Sequence, residues 1–320
     1  MRRANPEAEL DYLVHPAFAG ALDYSPWRVS NRILFERDRL GRAASFLPEF
    51  SALAGALRKR KYDLVVDFQG LFRSAFFARL AAGRGTVAGF SAPRERTATW
   101  FYSLKVPVRG GHAVERNAEL AAGALGCGVE VPELPVPPVP SGGAVPSGLP
   151  ERYLLLLPGA RWKSKRFPVE LFAETAKLVL ERFPGLRPVV AGGADETGTA
   201  AALCDKLPSG TVNLCGRTAL SELFETVRHA AGVVCNDSGP MHVAALMRRP
   251  LCVFFGPTRP GATGPWGEPE RCRVFRRGEL ACLECMRREC VSGDWRCFDI
   301  EARAVAEAMC AMLSNDLEVG

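Results

Sequence analysis

From residue 153 onward, short and wholly apolar runs alternate with helical stretches, and this alternation restricts the fold more than any other feature. Tyr153-Leu154-Leu155-Leu156-Leu157, Pro188-Val189-Val190, Val233-Val234-Cys235 and Leu251-Cys252-Val253-Phe254-Phe255 are too short for helices and show no polar face, and Val212-Asn213-Leu214 is as short with one polar residue. They read as strands buried on both sides. Residues 169–183, 197–207 and 221–231 between them carry helical patterns. Strand, helix, strand, helix with short turns implies a parallel sheet covered on both faces, an α/β fold. Similar units lie upstream. Tyr62 to Asp67 reads as a strand, Phe72 to Ala82 as a helix, Thr86 to Phe90 as a strand, and a helix opens at His112 and runs to Leu125. Ahead of these, Glu9 to Val14 is a short alternating strand and Trp27 to Phe50 is arginine-rich and mixed in pattern. Leu53 to Arg60 is helical, with cations at its C-terminal end. Residues 129–150 are dense in Pro, Gly and Val, as an extended connector requires. Two domains are expected, 1–140 and 151–320.

A chain of 320 residues is long enough for two such cores. No apolar run is long enough to span a bilayer, and Met1-Arg2-Arg3 is not followed by the apolar stretch of a secretory signal. The net charge of +6 suits an anionic substrate or an anionic membrane surface, and is too weak to argue for nucleic acid. Eleven cysteines without an export signal point to reduced thiols in a cytoplasm.

Three turns carry the chemistry. In Asn236-Asp237-Ser238-Gly239, Asp237 and Ser238 are natural N-caps for the helix that follows. Gly239 lets a ligand approach the backbone, and the free N–H groups with the helix dipole make an anion site. His242 lies about one turn into that helix, on the side that can face the same ligand. Phe255-Gly256-Pro257-Thr258 ends the next strand in a second such turn. Pro158 to Pro168 places Arg161, Lys163, Lys165 and Arg166 after the first strand of the domain, where cations can neutralise a diphosphate leaving group. A helix cap or a solvated loop explains each turn singly. Together they mark the edge of a parallel sheet where α/β proteins bind ligands. Asp67 is either a cap for the next helix or a carboxylate facing a cleft. Arg94, Arg96, His112 and Arg116 form either a basic wall for an acidic acceptor or a solvated face. Cys282-x2-Cys285-x4-Cys290-x6-Cys297 is a zinc site by composition. Its spacing is unlike paired CxxC knuckles, so clustered thiols explain it as well.

These residues resemble glycosyltransferase family 9, the ADP-heptose:lipopolysaccharide heptosyltransferases. Val66-Asp67-Phe68-Gln69-Gly70-Leu71-Phe72-Arg73-Ser74 is similar to the family's D-x-Q-G-L-x-(K/R)-S stretch. Pro158-Gly159-Ala160-Arg161-Trp162 with Lys165-Arg166-Phe167-Pro168 resembles its PGA-x-W…K-x-W-P turn, and Asn236 to Ala245 with Phe255 to Thr258 resembles its most specific signature. The cysteine tail and the segments Ser91 to Arg96 and His112 to Arg116 also resemble members. The resemblance implies a GT-B architecture of two Rossmann-like domains with a cleft between them, and a terminal helix that returns to the first domain. It implies a donor site of Arg161, Lys165, Glu196, Asp237, Ser238, Gly239, His242 and Thr258, with Lys165 on the donor phosphates. An acceptor site of Arg73, Arg94, Arg96 and Arg116 would take the acidic inner core of lipopolysaccharide. The implied reaction is inverting transfer of heptose from ADP-heptose, with no metal or other cofactor, by a cytoplasmic enzyme at the inner face of the inner membrane. The family's first strand and Gly-Asp loop, which hold its proposed base, would precede the residues present here. That leaves Asp67 as the candidate catalytic carboxylate beside Lys165. Two alternatives stay open: a family-9 transferase using another nucleotide-sugar, and a catalytically impaired nucleotide-sugar-binding protein.

Overall fold

The computed structural model describes residues 4–25, 29–131, 133–140 and 144–319. The first three residues, the start of the arginine-rich segment at 26–28, and residues 132 and 141–143 of the connector lie outside the described residues. The chain divides into two compact units, Met1–Glu133 and Leu134–Gly320. The division falls inside the proline-rich stretch. The part after it is tied to the second unit, where the Arg228 guanidinium donates to the carbonyls of Pro137 and Pro138 at 2.9 and 3.3 Å.

The first unit contains β1 (Asp11–Val14), β2 (Asn31–Leu34), α1 (Arg37–Leu40), α2 (Ala43–Lys59), β3 (Leu64–Asp67), α3 (Phe72–Ala82), β4 (Thr86–Phe90), β5 (Leu104–Val106) and α4 (Ala113–Leu125). Its strands form two separate parallel sheets, β1-β2 and β3-β4-β5. The Tyr62 hydroxyl just ahead of β3 donates to Asp11 Oδ2 at 2.7 Å and links the two. α2 begins ten residues before the helical pattern of the sequence does, because the helix continues through Pro48. Leu53 and Leu57 of α2 pack with Phe77 and Ala81 of α3.

The second unit contains β6 (Tyr153–Leu157), α5 (Val169–Arg182), β7 (Arg187–Val190), α6 (Thr197–Cys204), β8 (Val212–Asn213), α7 (Leu220–His229), β9 (Gly232–Asn236), α8 (Gly239–Leu246), β10 (Leu251–Phe254), α9 (Pro260–Thr263), β11 (Cys272–Phe275) and α10 (Ala302–Val319). All six strands are parallel, in the order β11-β10-β9-β6-β7-β8. With a side-chain period of two, Leu154, Leu156, Val190, Val234, Cys252 and Phe254 share one face and pack under α5 and α10. The alternate residues Leu155, Val233 and Val253 are equally buried, so the strands are apolar throughout, as a sheet covered on both faces demands.

The terminal helix corrects one expectation. α10 belongs to the second unit, lies on α5 and β10, and inserts Val305, Ala306, Met309, Met312 and Leu313 into this core. Met309 reaches β9 so closely that a Cβ on Gly232 would stand 2.6 Å from its Sδ. Met309 is fully buried, so Met309→Ala should cost about 3 kcal/mol of stability. Urea unfolding of the variant would show this as a lower midpoint at unchanged slope.

Candidate active site

Because the strands of the second unit are parallel, their C-terminal ends share one edge, and every turn singled out in that unit follows one of these ends. The strand order reverses between β6 and β9, which are neighbours in the sheet. At such a reversal the connections leave in opposite directions and open a crevice for a ligand. The turn after β6 carries Lys165, and the turn after β9 carries Asp237.

These turns meet. Lys165 Nζ lies 2.7 Å from Asp237 Oδ2, with both side chains largely buried. Thr258 Oγ1, in the turn after β10, donates to the same oxygen at 2.5 Å. The Trp162 ring lies 4.9 Å from the Lys165 ammonium, a cation–π contact. An ammonium has three donors, so its pairing with Asp237 leaves capacity for a phosphate. Asn236 fixes the distance between the two turns. Its Nδ2 donates to the Pro158 carbonyl at 2.6 Å, and its Oδ1 accepts from Phe167 N at 3.4 Å.

The helix cap is a correction. Asp237 is drawn to Lys165 and Thr258, and Ser238, though it stands at the N-cap of α8, makes no side-chain cap bond. Its Oγ is buried without a hydrogen-bond partner. A buried orphan hydroxyl is costly, and here it stands at a helix N-terminus where an anion would be stabilised. Gly239 is exposed and a Cβ on it would meet nothing, so local packing does not require the glycine. His242 is exposed on the first turn of α8, and Arg161 is exposed on the lysine turn.

Glu196 stands at the same sheet edge. It occupies the space left by two glycines: a Cβ on Gly159, after β6, would collide with its carboxylate, and one on Gly192, after β7, would lie 2.5 Å from Oε2. Burial raises its pKa above the usual carboxylate value, and the Gly193 N–H, donating to Oε2 at 2.9 Å, opposes that shift.

In the first unit, Asp67 ends β3 and is buried. Its Oδ1 accepts from Gln69 N at 3.0 Å and Gly70 N at 3.3 Å. Its Oδ2 accepts from Ser74 Oγ at 2.9 Å and Tyr102 OH at 2.6 Å. Burial first, and then the bond to Asp67, raises the Tyr102 pKa far above the ordinary phenol range, so the phenol stays a donor. Four donors fill the capacity of a carboxylate. Of the two readings of Asp67, these bonds match the one that closes the β3–α3 turn. The loop after β4 packs on that turn, where Glu95 N donates to the Gly70 carbonyl and Phe72 N to Glu95 Oε2, at 2.9 and 2.7 Å. Arg73 at the start of α3, Arg94 and Arg96 in the loop and Arg116 at the start of α4 all follow strand C-termini. The first three are exposed and Arg116 is half-buried, its guanidinium 5.5 Å from the Phe90 ring. His112 is instead the N-cap of α4, its Nδ1 accepting from Val114 N at 3.2 Å.

A family model described as glycosyltransferase family 9 (heptosyltransferase) matches residues 50–296, more than half of the chain. The chain belongs to glycosyltransferase family 9. It is 31% identical to lipopolysaccharide heptosyltransferase 1 of Pseudomonas aeruginosa, over 93% of this chain and 84% of that one. It is 29% identical to lipopolysaccharide heptosyltransferase 1 of Escherichia coli K12, over 86% of this chain and 87% of that one. Among solved structures it is similar to E. coli heptosyltransferase WaaC with ADP, at 28% identity and a TM-score of 0.72, covering 85% of each chain. E. coli ADP-heptose lps heptosyltransferase II shares its fold at a TM-score of 0.75, over 99% of this chain and 92% of that one, at 23% identity. The family-9 chain is thus a glycosyltransferase enzyme of the GT-B class.

Three further residues shape the two turns and carry no role in the sequence. Asn236 was visible as the one polar residue closing an apolar strand. Trp162 stood in the PGA-x-W resemblance with no role attached to it, and Ser164 had no signal of its own, since its Oγ bonds to the Arg287 carbonyl 123 positions away. The tail cysteines Cys282 and Cys285 are exposed, Cys290 and Cys297 are half-buried, and all eleven cysteines are free thiols. Among the described residues no three His, Cys, Asp or Glu side chains are grouped to hold a metal ion.

Proposed function

We propose that this family-9 enzyme transfers heptose from ADP-heptose to the inner core of lipopolysaccharide, inverting the anomeric centre and needing no metal ion. The observation that carries the donor half is the convergence of Lys165 and Thr258 on Asp237 at the sheet's reversal point. Lys165 and the N-terminus of α8 supply the positive charge that a departing diphosphate requires. Ser238 Oγ supplies a hydrogen-bonding group that the diphosphate would satisfy. Glu196 suits a hydroxyl of the donor. A single displacement of ADP by an acceptor hydroxyl inverts the anomeric carbon, and a base must take the hydroxyl proton, for which Asp67 is the candidate that the Asp67→Asn variant tests. Solved relatives are described with ADP and with ADP-2-deoxy-2-fluoro heptose, which favours ADP-heptose as the donor.

Arg73, Arg94, Arg96 and Arg116 suit an acidic acceptor. Between residues 37 and 105 the chain has thirteen lysines and arginines against five aspartates and glutamates, a local excess larger than the whole chain's +6. Leu47 and Trp100 in the same segment are 73% and 75% exposed. Basic charge with exposed apolar side chains favours peripheral contact with an anionic membrane surface, in keeping with a cytoplasmic enzyme at the inner membrane.

Calorimetric titration with ADP and ADP-heptose, run beside a turnover assay on heptose-free lipopolysaccharide with and without a chelator, tests the reading. Binding of both ligands, chelator-insensitive turnover and an inverted product are expected. Binding without turnover would favour a nucleotide-sugar-binding protein, and absence of any binding would overturn the donor site.

A further inference from the structure

The cysteine-bearing tail takes no part in the chemistry above, yet it touches both turns that build the donor site. Ser164, beside Lys165, is 3% exposed. Its Oγ donates to the Arg287 carbonyl at 2.6 Å and its N–H to the Arg288 carbonyl at 3.1 Å. The Arg288 guanidinium lies 5.9 Å from the Trp162 ring that also faces Lys165. Further along the tail, the Phe298 ring packs on Phe167 at 4.5 Å. The other turn is held as well: Met286 N donates to the Pro257 carbonyl, next to Thr258, at 2.9 Å. Between the two turns, a Cβ on Gly256 would meet Cys297 Sγ at 3.3 Å and the Ser164 carbonyl at 3.4 Å.

These contacts differ in weight. The Lys163–Glu289 pair has both side chains about 70% exposed, and such pairs contribute little. The bonds of Ser164 are buried, and losing a partner there leaves a carbonyl unsatisfied. In the two hydrogen bonds to the tail, Arg287 and Arg288 contribute backbone carbonyls, so the side-chain change that removes the first of these bonds is made at Ser164.

We propose that tail residues 286–298 form a strap across the Lys165 and Thr258 turns, and that Ser164 is the positioning residue through which the strap holds Lys165 on the donor diphosphate. Ser164 touches no donor atom in this scheme. It sets the approach of the neighbouring ammonium, while Met286 holds the turn of Thr258. The proposal rests on the reading of Lys165 as the phosphate-binding cation, and its test separates the two.

The test is a double-mutant cycle read by calorimetric titration of the full chain with ADP. Ser164→Ala should weaken ADP binding about five- to tenfold, and should raise the donor KM while kcat stays within about twofold of the parent. In a Lys165→Ala background the same change should add no further loss. Parental ADP affinity in Ser164→Ala, or an equal loss in both backgrounds, overturns the strap's action through Lys165. Parental affinity in Lys165→Ala brings down the donor reading itself, and the strap's role with it. Ser164→Cys keeps the volume and a weak donor and should fall between Ser164 and Ser164→Ala. It carries the cycle if the alanine variant does not fold.

Discussion

Lys165→Ala lowers kcat/KM for the donor by about 10²- to 10³-fold, the usual effect of removing one fixed group that meets transition-state charge. Stability falls in the same variant. The ion pair with Asp237 has side chains 17% and 7% exposed, and removing its cation leaves a buried carboxylate that still accepts from Thr258. Losing one member of such a pair costs about 3 kcal/mol. Turnover at low donor concentration and urea unfolding measure the two effects separately. A destabilised variant that still uses donor normally would make the pair a structural feature only.

The second large effect is expected at Asp67. Asp67→Ala strands the Tyr102 hydroxyl and the buried N–H of Gly70, whereas the Ser74 hydroxyl keeps the Leu71 carbonyl and the N–H of exposed Gln69 can turn to water. Tyr102 is itself buried. At about 1 to 2 kcal/mol for each of the two, the loss reaches about 3 kcal/mol, a large share of the stability of an ordinary domain, and urea unfolding would show it as a lower midpoint. Asp67→Asn keeps the shape and part of the accepting capacity. Its turnover per folded molecule should stay within about tenfold of the parent. A fall of about 10³-fold or more, with folding intact, would return Asp67 to the role of base.

Asp67 also illustrates what a sequence can and cannot display. Its place at a strand end was legible from Tyr62 to Gly70, and both a cap and a base fitted that place. The choice turned on Tyr102, 35 residues away, for which no local pattern speaks. Ser238 shows the same limit. A serine before a helix reads as a cap, but Ser238 at the N-cap of α8 makes no side-chain cap bond. The strands of the second unit were legible because strands covered on both faces must be apolar along their whole length, and β6, β9 and β10 are. β5 and β11 were not, being three- and four-residue strands with half-exposed positions. The two sheets of the first unit could not be separated from the local patterns of their strands, since pairing is a property of neighbours. The site turns were visible one by one. Their meeting point was not, because Lys165 and Asp237 are 72 positions apart.

That separation has a kinetic consequence. β6 pairs with β7 across about 34 positions but with β9 across about 78. Closing the longer loop costs more chain entropy before any contact compensates for it. A strand–helix–strand core of β6, β7 and β8 can therefore assemble while the crevice beside β6 does not yet exist. The crevice arrives only when β9 docks, and the ammonium of Lys165 waits in solvent until then. Pulsed hydrogen exchange during refolding should protect the amides of β7 before those of β9 and β10. A nascent or partly refolded chain would then carry much of its secondary structure and still be blind to nucleotide.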